Sequence, residues 1–428
     1  MKKTYLLFFM VMLFAFNVSF IRAQHMVVNQ VIVGSGGVYG DTTNNVALAS
    51  YKPNDGVTTS FGNIDTQSIQ DIVISGNFAF VAAQDSIAKF DIDTYEKVAI
   101  VEALGVNRLV VSGNVLLASF QWPATENFVK IFSTSDLALV SNIADVSDES
   151  AGILVAGNLA YVAVPGGYLS TTGKIAIIDL SNYSLIDEIN FNEQGVGVND
   201  LFYYDNQIMS VCRTPWGVTF GYLLAMNTIG SHTDVYLVDA VLGKMVGEID
   251  GLLFTVMNNG VGVIDLSDFS VADTAYIEAS TLTIAGVAMD TIDGVFYITT
   301  TDFFSTGIGT IYNALGIEIG NFDAGISADA IAIDYRDNTG IDDLLTNGTI
   351  NIYPNPASYV ITIDASDGIG ISANTFSVVD ISGRIIINGS VNMVKGSANI
   401  NISTLKSGLY FFVLSNGNES ITKSFVKK

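Results

Sequence analysis

The chain has 428 residues, a formal net charge of −24 and 49% hydrophobic residues, so it is long enough for several domains and for a large buried core. Its single cysteine, Cys212, excludes an intramolecular disulfide, and one cysteine with two histidines excludes a zinc site built from such ligands. Residues 24–346 hold nine basic and 38 acidic side chains, a net charge of −29, which repels nucleic acid and anionic membranes. This acidity suits a divalent cation or a cationic partner; the alternative is that it serves solubility alone.

The amino terminus has the pattern of a secretory signal peptide. Lys2 and Lys3 precede an almost continuously apolar run at residues 6–16, which is short for a membrane span. We expect cleavage after Ala23, so that residues 1–23 are removed and the mature protein has no transmembrane segment. A retained membrane anchor is the alternative.

Residues 24–337 contain a repeat of apolar strands joined by tight turns. The motifs SGN, SGN and AGN occupy residues 75–77, 112–114 and 156–158, which gives steps of 37 and 44 residues. Each motif separates two apolar runs, as in IVISGNFAFVAA, and glycine there allows the positive φ of a hairpin turn. Four short antiparallel strands at a period near 40 residues are typical of a propeller blade, and about seven blades fit. A β-helix would have shorter coils without these paired turns.

The predicted fold class is therefore all-β, a seven-bladed β-propeller followed by a small C-terminal Ig-like β-sandwich. Later copies of the repeat lie at residues 251–279 and 294–322. The boundary between the fifth and sixth blades, around residues 222–241, is not defined by the pattern. The segment DAIAIDY at residues 329–335 resembles a first strand, so we expect it to pair near residues 27–33 and to close the ring.

This repeat unit resembles the YncE-like, quinoprotein-like seven-bladed propellers. The resemblance lies in the pattern rather than in diagnostic residues. Some cell-surface members in Bacteroidetes capture vitamins, the cobalamin-binding propeller among them, so the resemblance implies a capture function. No residue here identifies cobalamin.

Aromatic residues collect in the loops between the second and third strands of the blades. In a four-stranded blade these loops open on the same face as the connections between blades, whereas the opposite turns are short and polar. Exposed rings on that face would stack on a planar or sugar-like ligand or contact a partner protein. The alternative is that they pack over the ends of the blades. The aromatic candidates are Trp122, Tyr168, Trp216 and Phe303, with Tyr39 and Phe304 beside them.

Polar residues just before the innermost strands are expected near the central axis. With Arg213 they would form a pocket of mixed charge; the alternative is that they cap strands and satisfy turn backbones. The axial candidates are Asp71, Arg108, Asn199, Asp200 and Asp329, with Gln70, Asn107 and Ala328 as neighbours.

Catalytic patterns are weak, and we predict no catalytic residue, metal or cofactor. His25 lies at the mature terminus, and His232 has no flanking nucleophile motif. No helix follows the glycine-rich residues 34–37, which argues against a phosphate loop. Scattered aspartates leave acid–base catalysis open.

The last 80 residues carry a series of short motifs. IYPNPAS begins at Ile352, and SVVDISGR, LKSGLYFFVLSNG and KSFVKK follow. Pro354 and Pro356 would mark where a linker enters a strand, and the β-rich runs between turns predict a small sandwich. The residues that carry the motifs are Tyr353, Pro354, Asn355, Pro356, Gly383, Arg384, Gly408, Leu409, Tyr410, Lys423, Lys427 and Lys428.

These motifs closely resemble the C-terminal sorting domain of Bacteroidetes proteins that use the type IX secretion system. The resemblance covers residues 349–428, about a fifth of the chain, with a linker at 338–348. It implies passage through the periplasm, contact with the secretion machinery and its sortase, and release or attachment at the outer surface.

The sequence as a whole predicts a secreted or surface-attached propeller that binds a ligand, with small-molecule capture of the cobalamin type as one form. A secreted glycan lyase or hydrolase is the alternative, and a protein-binding adhesin is a third. Two converging carboxylates would favour the enzyme, whereas aromatic rings and neutral amides would favour capture. The partner would be an unknown small molecule, glycan or surface protein.

Overall fold

The computed structural model describes residues 26–41, 43–278, 280–337, 350–365, 375–380, 384–391, 397–415 and 420–428. The predicted signal peptide and linker lie outside these ranges. The chain divides into two compact units, one of which is Met26–Asp337, while the other contains the C-terminal strands.

Met26–Asp337 folds into seven four-stranded antiparallel sheets, numbered here as blades 1 to 7, so the predicted propeller is confirmed. Blade 1 contains three N-terminal strands and one late strand; blades 2 to 7 are each continuous in sequence. The strands are β1 (Met26–Ser35), β2 (Val46–Lys52) and β3 (Val57–Ile64) in blade 1; β4 (Ile69–Ser75), β5 (Phe78–Ala83), β6 (Ser86–Asp91) and β7 (Lys97–Glu102) in blade 2; β8 (Val106–Ser112), β9 (Val115–Phe120), β10 (Val129–Ser133) and β11 (Leu139–Asn142) in blade 3; β12 (Ile153–Ala156), β13 (Leu159–Val164), β14 (Lys174–Asp179) and β15 (Ser184–Asn190) in blade 4; β16 (Val198–Tyr204), β17 (Gln207–Cys212), β18 (Gly221–Asn227) and β19 (Thr233–Val238) in blade 5; β20 (Met245–Ile249), β21 (Leu252–Met257), β22 (Gly260–Asp265) and β23 (Ser270–Ile277) in blade 6; β24 (Thr283–Asp290), β25 (Val295–Thr301), β26 (Ile308–Tyr312) and β27 (Glu318–Asp323) in blade 7; and β28 (Ala330–Asp337), which returns to blade 1. A short 3-10 helix at Asn192–Gly195 connects blades 4 and 5.

The burial pattern of each strand follows from its place in the blade. In β5, five consecutive residues are buried, because a middle strand is covered on both faces by neighbouring blades. The outermost strand β7 has only exposed and half-buried residues. The turn before β5 places Gly76 at a φ of 59°, a conformation that glycine adopts without a steric penalty.

The ring closes as expected. β28 pairs antiparallel with β1, with Val27 opposite Arg336 and Val33 opposite Ile331, and it forms the inner edge of blade 1. The uncertain boundary is also settled, since β18 and β19 complete blade 5 and blade 6 begins with β20.

The second unit contains two sheets that share one apolar core. Its strands are β29 (Ile350–Tyr353), β30 (Val360–Ala365), β31 (Thr375–Asp380), β32 (Ile385–Ser390), β33 (Ser397–Asn401), β34 (Gly408–Ser415) and β35 (Ser420–Lys427). One sheet has the order β29-β30-β33 and the other β32-β31-β34-β35, and Phe412 and Phe425 lie fully buried in the core. This arrangement confirms the predicted sandwich. The prolines are misplaced in the prediction, because Pro354 and Pro356 separate β29 from β30 rather than mark the entry of a linker into a strand.

Candidate ligand site on the loop face

Each propeller blade has two ends that differ in character. One end carries the loops between the second and third strands and the connections between blades; we call this end of the propeller the loop face. The other end carries the short first-to-second and third-to-fourth turns, and we call it the turn face.

The aromatic candidates lie on the loop face and point away from the blades. Trp122 belongs to the β9–β10 loop of blade 3, Tyr168 to the β13–β14 loop of blade 4 and Trp216 to the β17–β18 loop of blade 5. Their exposed fractions are 76%, 103% and 101%. Since such rings make little contact with the protein, they do not pack over the blade ends, and three successive blades carry them. Phe303, in the equivalent loop of blade 7, is about half exposed.

The axial candidates lie inside the innermost strands rather than before them, which corrects the prediction for three pairs. Asp71 is the third residue of β4, Arg108 the third of β8 and Asp200 the third of β16. At each of these points the pairing with the next strand shifts register. Such a β-bulge re-aims the side chain, here toward the axis.

Arg108 connects blades that are not neighbours. Its guanidinium lies 3.8 Å from the Asp71 carboxylate of blade 2 and 4.0 Å from the Asp200 carboxylate of blade 5. The same group donates to the carbonyl of Gln70. All three side chains are about one-fifth exposed, so this network lies half-buried across the axis and lines an open cavity of about 270 Å³.

The two carboxylates also join adjacent blades. Asp71 accepts a hydrogen bond from the Leu109 N–H of blade 3 at 2.8 Å, and Asp200 accepts one from the Met245 N–H of blade 6 at 3.0 Å. Asp71 and Asp200 therefore also satisfy backbone N–H groups, the role that the sequence analysis gave as the alternative to an axial pocket.

Arg213 lies at the edge of this network. Its Nη2 is 3.5 Å from Asp200 Oδ2, and its side chain is one-third exposed. The Nε and Nη2 atoms of Arg213 and Oδ1 of Asn199 are buried without a hydrogen-bond partner. Such groups are uncommon in folded proteins, and of the three atoms only Arg213 Nη2 is compensated, by its ion pair with Asp200.

Lys244 was missed by the sequence analysis. Its ammonium lies 4.0 Å from the Asp329 carboxylate and donates to the Ala285 carbonyl, so it joins blade 6 to blade 7 and to the connection that enters blade 1. The sequence could have indicated Lys244, because it lies directly before an innermost strand, and the same criterion selected Asp329. Three of the nine basic residues of the acidic region thus meet at the axis.

Burial and charge shift the pKa values of this cluster in opposite directions. Burial raises the pKa of Asp71, although Arg108 acts against it. Burial alone would raise the pKa of Asp200, but the charges of Arg213 and Arg108 outweigh this effect, so the pKa of Asp200 is lowered. Desolvation lowers the pKa of Lys244 to about 8 and raises that of Asp329. The site therefore contains two carboxyl groups biased toward protonation, Asp71 and Asp329, and one biased toward ionisation, Asp200.

A concave pocket of about 290 Å³ begins at Arg213 and extends under the loop that carries Trp216. Apart from Arg213, Glu193 and Thr214, its lining is mostly apolar, with Val196, Cys212, Pro215, Val218, Phe220 and Tyr222 contributing. Burial raises the pKa of the Cys212 thiol far above its ordinary value, so this cysteine acts as a small apolar residue. A cation beside an apolar wall suits an amphipathic ligand.

Within the described residues, no group of three or more His, Cys, Asp or Glu side chains is arranged to hold a metal ion. None of the helices found in the described ranges is long and apolar enough to cross a membrane.

The motif residues of the second unit have mostly structural contacts. Asn355 accepts a hydrogen bond from the Val426 N–H, and Arg384 pairs with Asp380 at 3.1 Å. The Tyr410 ring stacks on Phe425, whereas Tyr353 is about half exposed. Pro354 and Pro356 lie on either side of Asn355, Gly408 and Leu409 begin β34, and Lys423, Lys427 and Lys428 belong to β35 or follow it. Gly383 lies outside the described residues.

Residues 351–428 match the family described as the secretion system C-terminal sorting domain. The protein is thus exported by type IX secretion to the cell surface or the extracellular space. No curated protein matches the chain.

Solved structures share the fold at low identity. A protein from Lactobacillus plantarum is 9% identical, with a TM-score of 0.56 over 72% of this chain and 100% of that chain. A functionally unknown protein from Desulfotomaculum acetoxidans is 14% identical, with a TM-score of 0.53 over 71% and 98%. At these identities the similarity concerns the fold alone.

PorZ of Porphyromonas gingivalis is described as an essential bacterial surface component of the type IX secretion system. It is 14% identical over 95% of this chain and 59% of that chain, with a TM-score of 0.46.

Proposed function

We propose that this exported propeller captures a small amphipathic ligand on its loop face, with an anionic group at Arg213 and an apolar body in the pocket under the Trp216 loop. Arg213 carries the proposal, because it is the one cation among the residues that line this pocket and because its side chain stays one-third exposed beside its ion pair with Asp200. A guanidinium binds a carboxylate through paired donors, a geometry that lysine does not offer.

The aromatic loops support capture as well. Trp122, Tyr168 and Trp216 follow one another around the rim on consecutive blades, so a ligand that leaves the pocket meets stacking surface. A ligand as large as a corrin would have to lie across these loops, because the pocket of about 290 Å³ admits only a small group. Capture of a cobalamin-type ligand would therefore use the aromatic loops, with only a small part of the ligand in the pocket.

Calorimetry with small aromatic carboxylates tests the proposal. We expect benzoate and indole-3-acetate to bind the protein that comprises residues 24–428, and Arg213→Gln to weaken binding at least tenfold, since it removes the ionic contact. Arg384→Gln is the matched control, because Arg384 belongs to the sorting unit. Equal affinity in both variants, or no binding by the parent protein, would contradict the proposal.

The axial carboxylates favour a second candidate, a glycan lyase or hydrolase. Asp71 and Asp200 converge on Arg108, and their pKa values are shifted in opposite directions, as in an acid–base pair. Against it, each carboxylate already accepts a backbone N–H from the next blade.

Turnover of oligosaccharides distinguishes the two candidates. Activity that Asp71→Asn abolishes and Arg213→Gln leaves intact would establish the enzyme. Binding to oligosaccharides or a surface protein without turnover, sensitive to the loop tryptophans alone, would indicate an adhesin.

A further inference from the structure

A second cavity lies on the opposite side of the propeller, between blades 6 and 7. Its volume is about 330 Å³. Its lining comes from the turn-face ends of β20, β21, β24 and β25, from β22 and the outer strand β23, and from the turn between β26 and β27. The loop-face residues described above contribute nothing to this lining. It is therefore a separate feature of the molecule.

Three aromatic rings form a wall of this cavity. Phe254 and Phe296 lie 5.0 Å apart at 64°, and Phe254 and Tyr276 lie 5.3 Å apart at 63°. These are edge-to-face contacts, which hold rings in fixed orientations. Phe254 and Phe296 are also buried in the core between the two blades, so the wall exists before any ligand arrives.

The rest of the lining is almost free of polar groups. Met289, Val263 and Ile249 complete the apolar surface, and a methionine sulfur interacts favourably with an aromatic ring. The Tyr276 hydroxyl already donates to the Ala314 carbonyl. Asp273 stands at the exposed rim, where one of its oxygens accepts the Ala275 N–H. A charged ligand would lose its hydration here without gaining a partner.

We propose that this cavity, defined by Phe254, Tyr276 and Phe296, is a binding site for a small neutral aromatic molecule. Its volume is about ten times the share of one water molecule in the liquid, which suits one or two rings. A flat apolar ring fits among rings that already stand edge to face, and displacing water from such walls supplies the binding free energy.

Ala272 provides a test that spares the core. It lines the cavity from the exposed part of β23, so Ala272→Trp would place an indole inside without disturbing a buried side chain. Ala275→Trp is the matched control, because Ala275 is an equally exposed alanine of the same strand outside the lining.

The probe is p-cresol, added to the protein that comprises residues 24–428, with saturation-transfer NMR and thermal unfolding as readouts. We expect p-cresol to bind the parent protein and Ala275→Trp and to raise their melting temperatures, because a ligand that binds only the folded state stabilises it. Ala272→Trp should bind at least tenfold more weakly. Benzoate should leave this site empty.

The outcome is independent of the proposed function. Arg213→Gln should leave p-cresol binding unchanged, and Ala272→Trp should leave benzoate binding at the loop face unchanged. If p-cresol does not bind the folded parent protein, the inference is wrong. It is equally wrong if Ala272→Trp binds as well as Ala275→Trp, or if binding is lost in Arg213→Gln.

Discussion

Arg108 shows how one side chain can organise the centre of a ring. It occupies the position in blade 3 that Asp71 occupies in blade 2 and Asp200 in blade 5, so three equivalent bulges supply one cation and two anions. Each carboxylate also accepts a hydrogen bond from a backbone N–H of the next blade. The positions of the two charges are therefore coupled to the positions of the inner strands. Removing Arg108 would leave two half-buried carboxylates without their shared partner.

Lys244 should give the stability of the protein a characteristic pH dependence. Its pKa falls from an ordinary 10.5 to about 8 in the folded state, chiefly by desolvation. Between these values the unfolded chain holds a proton that the folded protein has lost, so stability should rise with pH across this window.

Denaturant unfolding at several pH values tests this prediction. The difference in unfolding free energy between the parent protein and Lys244→Met should increase from pH 8 to pH 10. Lys244→Arg keeps a charge throughout, so its difference from Lys244→Met should stay constant. A parent difference that does not change with pH would contradict the assignment.

Trp122 and Trp216 should matter for binding and not for folding. Each aromatic stacking pair contributes roughly 0.5–1.5 kcal/mol beyond the area it buries, so replacing both residues by alanine should weaken ligand binding at least tenfold. Both rings are more than three-quarters exposed, and the melting temperature should therefore change little. Calorimetry against cobalamins, porphyrins and oligosaccharides, with parallel thermal melts, measures both effects. A large loss of stability would show that the rings pack against the protein.

At the scale of elements, ring closure depends on β28. This strand pairs with β1 and also contacts the inner strands of the neighbouring blades, β4 and β24. Removing residues 329–335 would expose a sheet edge and open the ring. We expect the deleted protein to lose its single cooperative unfolding transition, as calorimetry would show; one sharp transition at a similar temperature would exclude the closure model.

A single buried carboxylate within β28 offers a finer test. Asp334 is fully buried and accepts hydrogen bonds from Asn29, from Gln30 of β1 and from Arg336. Asp334→Ala removes one of the two acceptors of the buried Gln30 amide and the acceptor of the half-buried Asn29 amide. It also removes the buried partner of Arg336, so the unfolding free energy should fall by about 3 kcal/mol. Asp93→Ala removes the exposed partner of the same arginine and should cost less than about 0.5 kcal/mol. Similar costs in chemical denaturation would mean that Asp334 does not hold the closure.

At the scale of the whole molecule, the chain forms two units with separate cores, and the second unit carries the sorting motifs. The propeller has its own buried cores between blades, and the sorting unit has its own core around Phe412 and Phe425. Separate cores predict that either unit folds without the other. The net negative charge of the propeller disfavours contact with anionic surfaces.

Deletion of residues 349–428 should leave a folded propeller that stays in the periplasm. The sorting match to residues 351–428 gives the reason, since the deletion removes the whole matched segment. Fractionation of cells that carry a tagged protein, with limited proteolysis of the periplasmic form, measures location and folding together. Surface display at the normal level without these residues would contradict the assignment.

The sequence determined the features that are repeated or local. The turn glycines, the alternation of apolar runs and the sorting motifs each act within a few residues, so they predicted the blades, the closing role of residues 329–335 and the route of export. The axial candidates Asp71, Arg108 and Asp200 were found for the same reason, because each directly precedes an apolar run at the same point of the repeat, although all three lie within the strands.

Only the tertiary structure decided how distant residues meet. The pairing of Lys244 with Asp329, the approach of Arg108 to Asp200 and the cavity between blades 6 and 7 join residues that the chain separates by many positions. Their contacts depend on the angle between blades and on the bulges of the inner strands. Sequence periodicity predicts neither the angle between blades nor the bulges, because it describes each blade by itself and not the ring that the blades form.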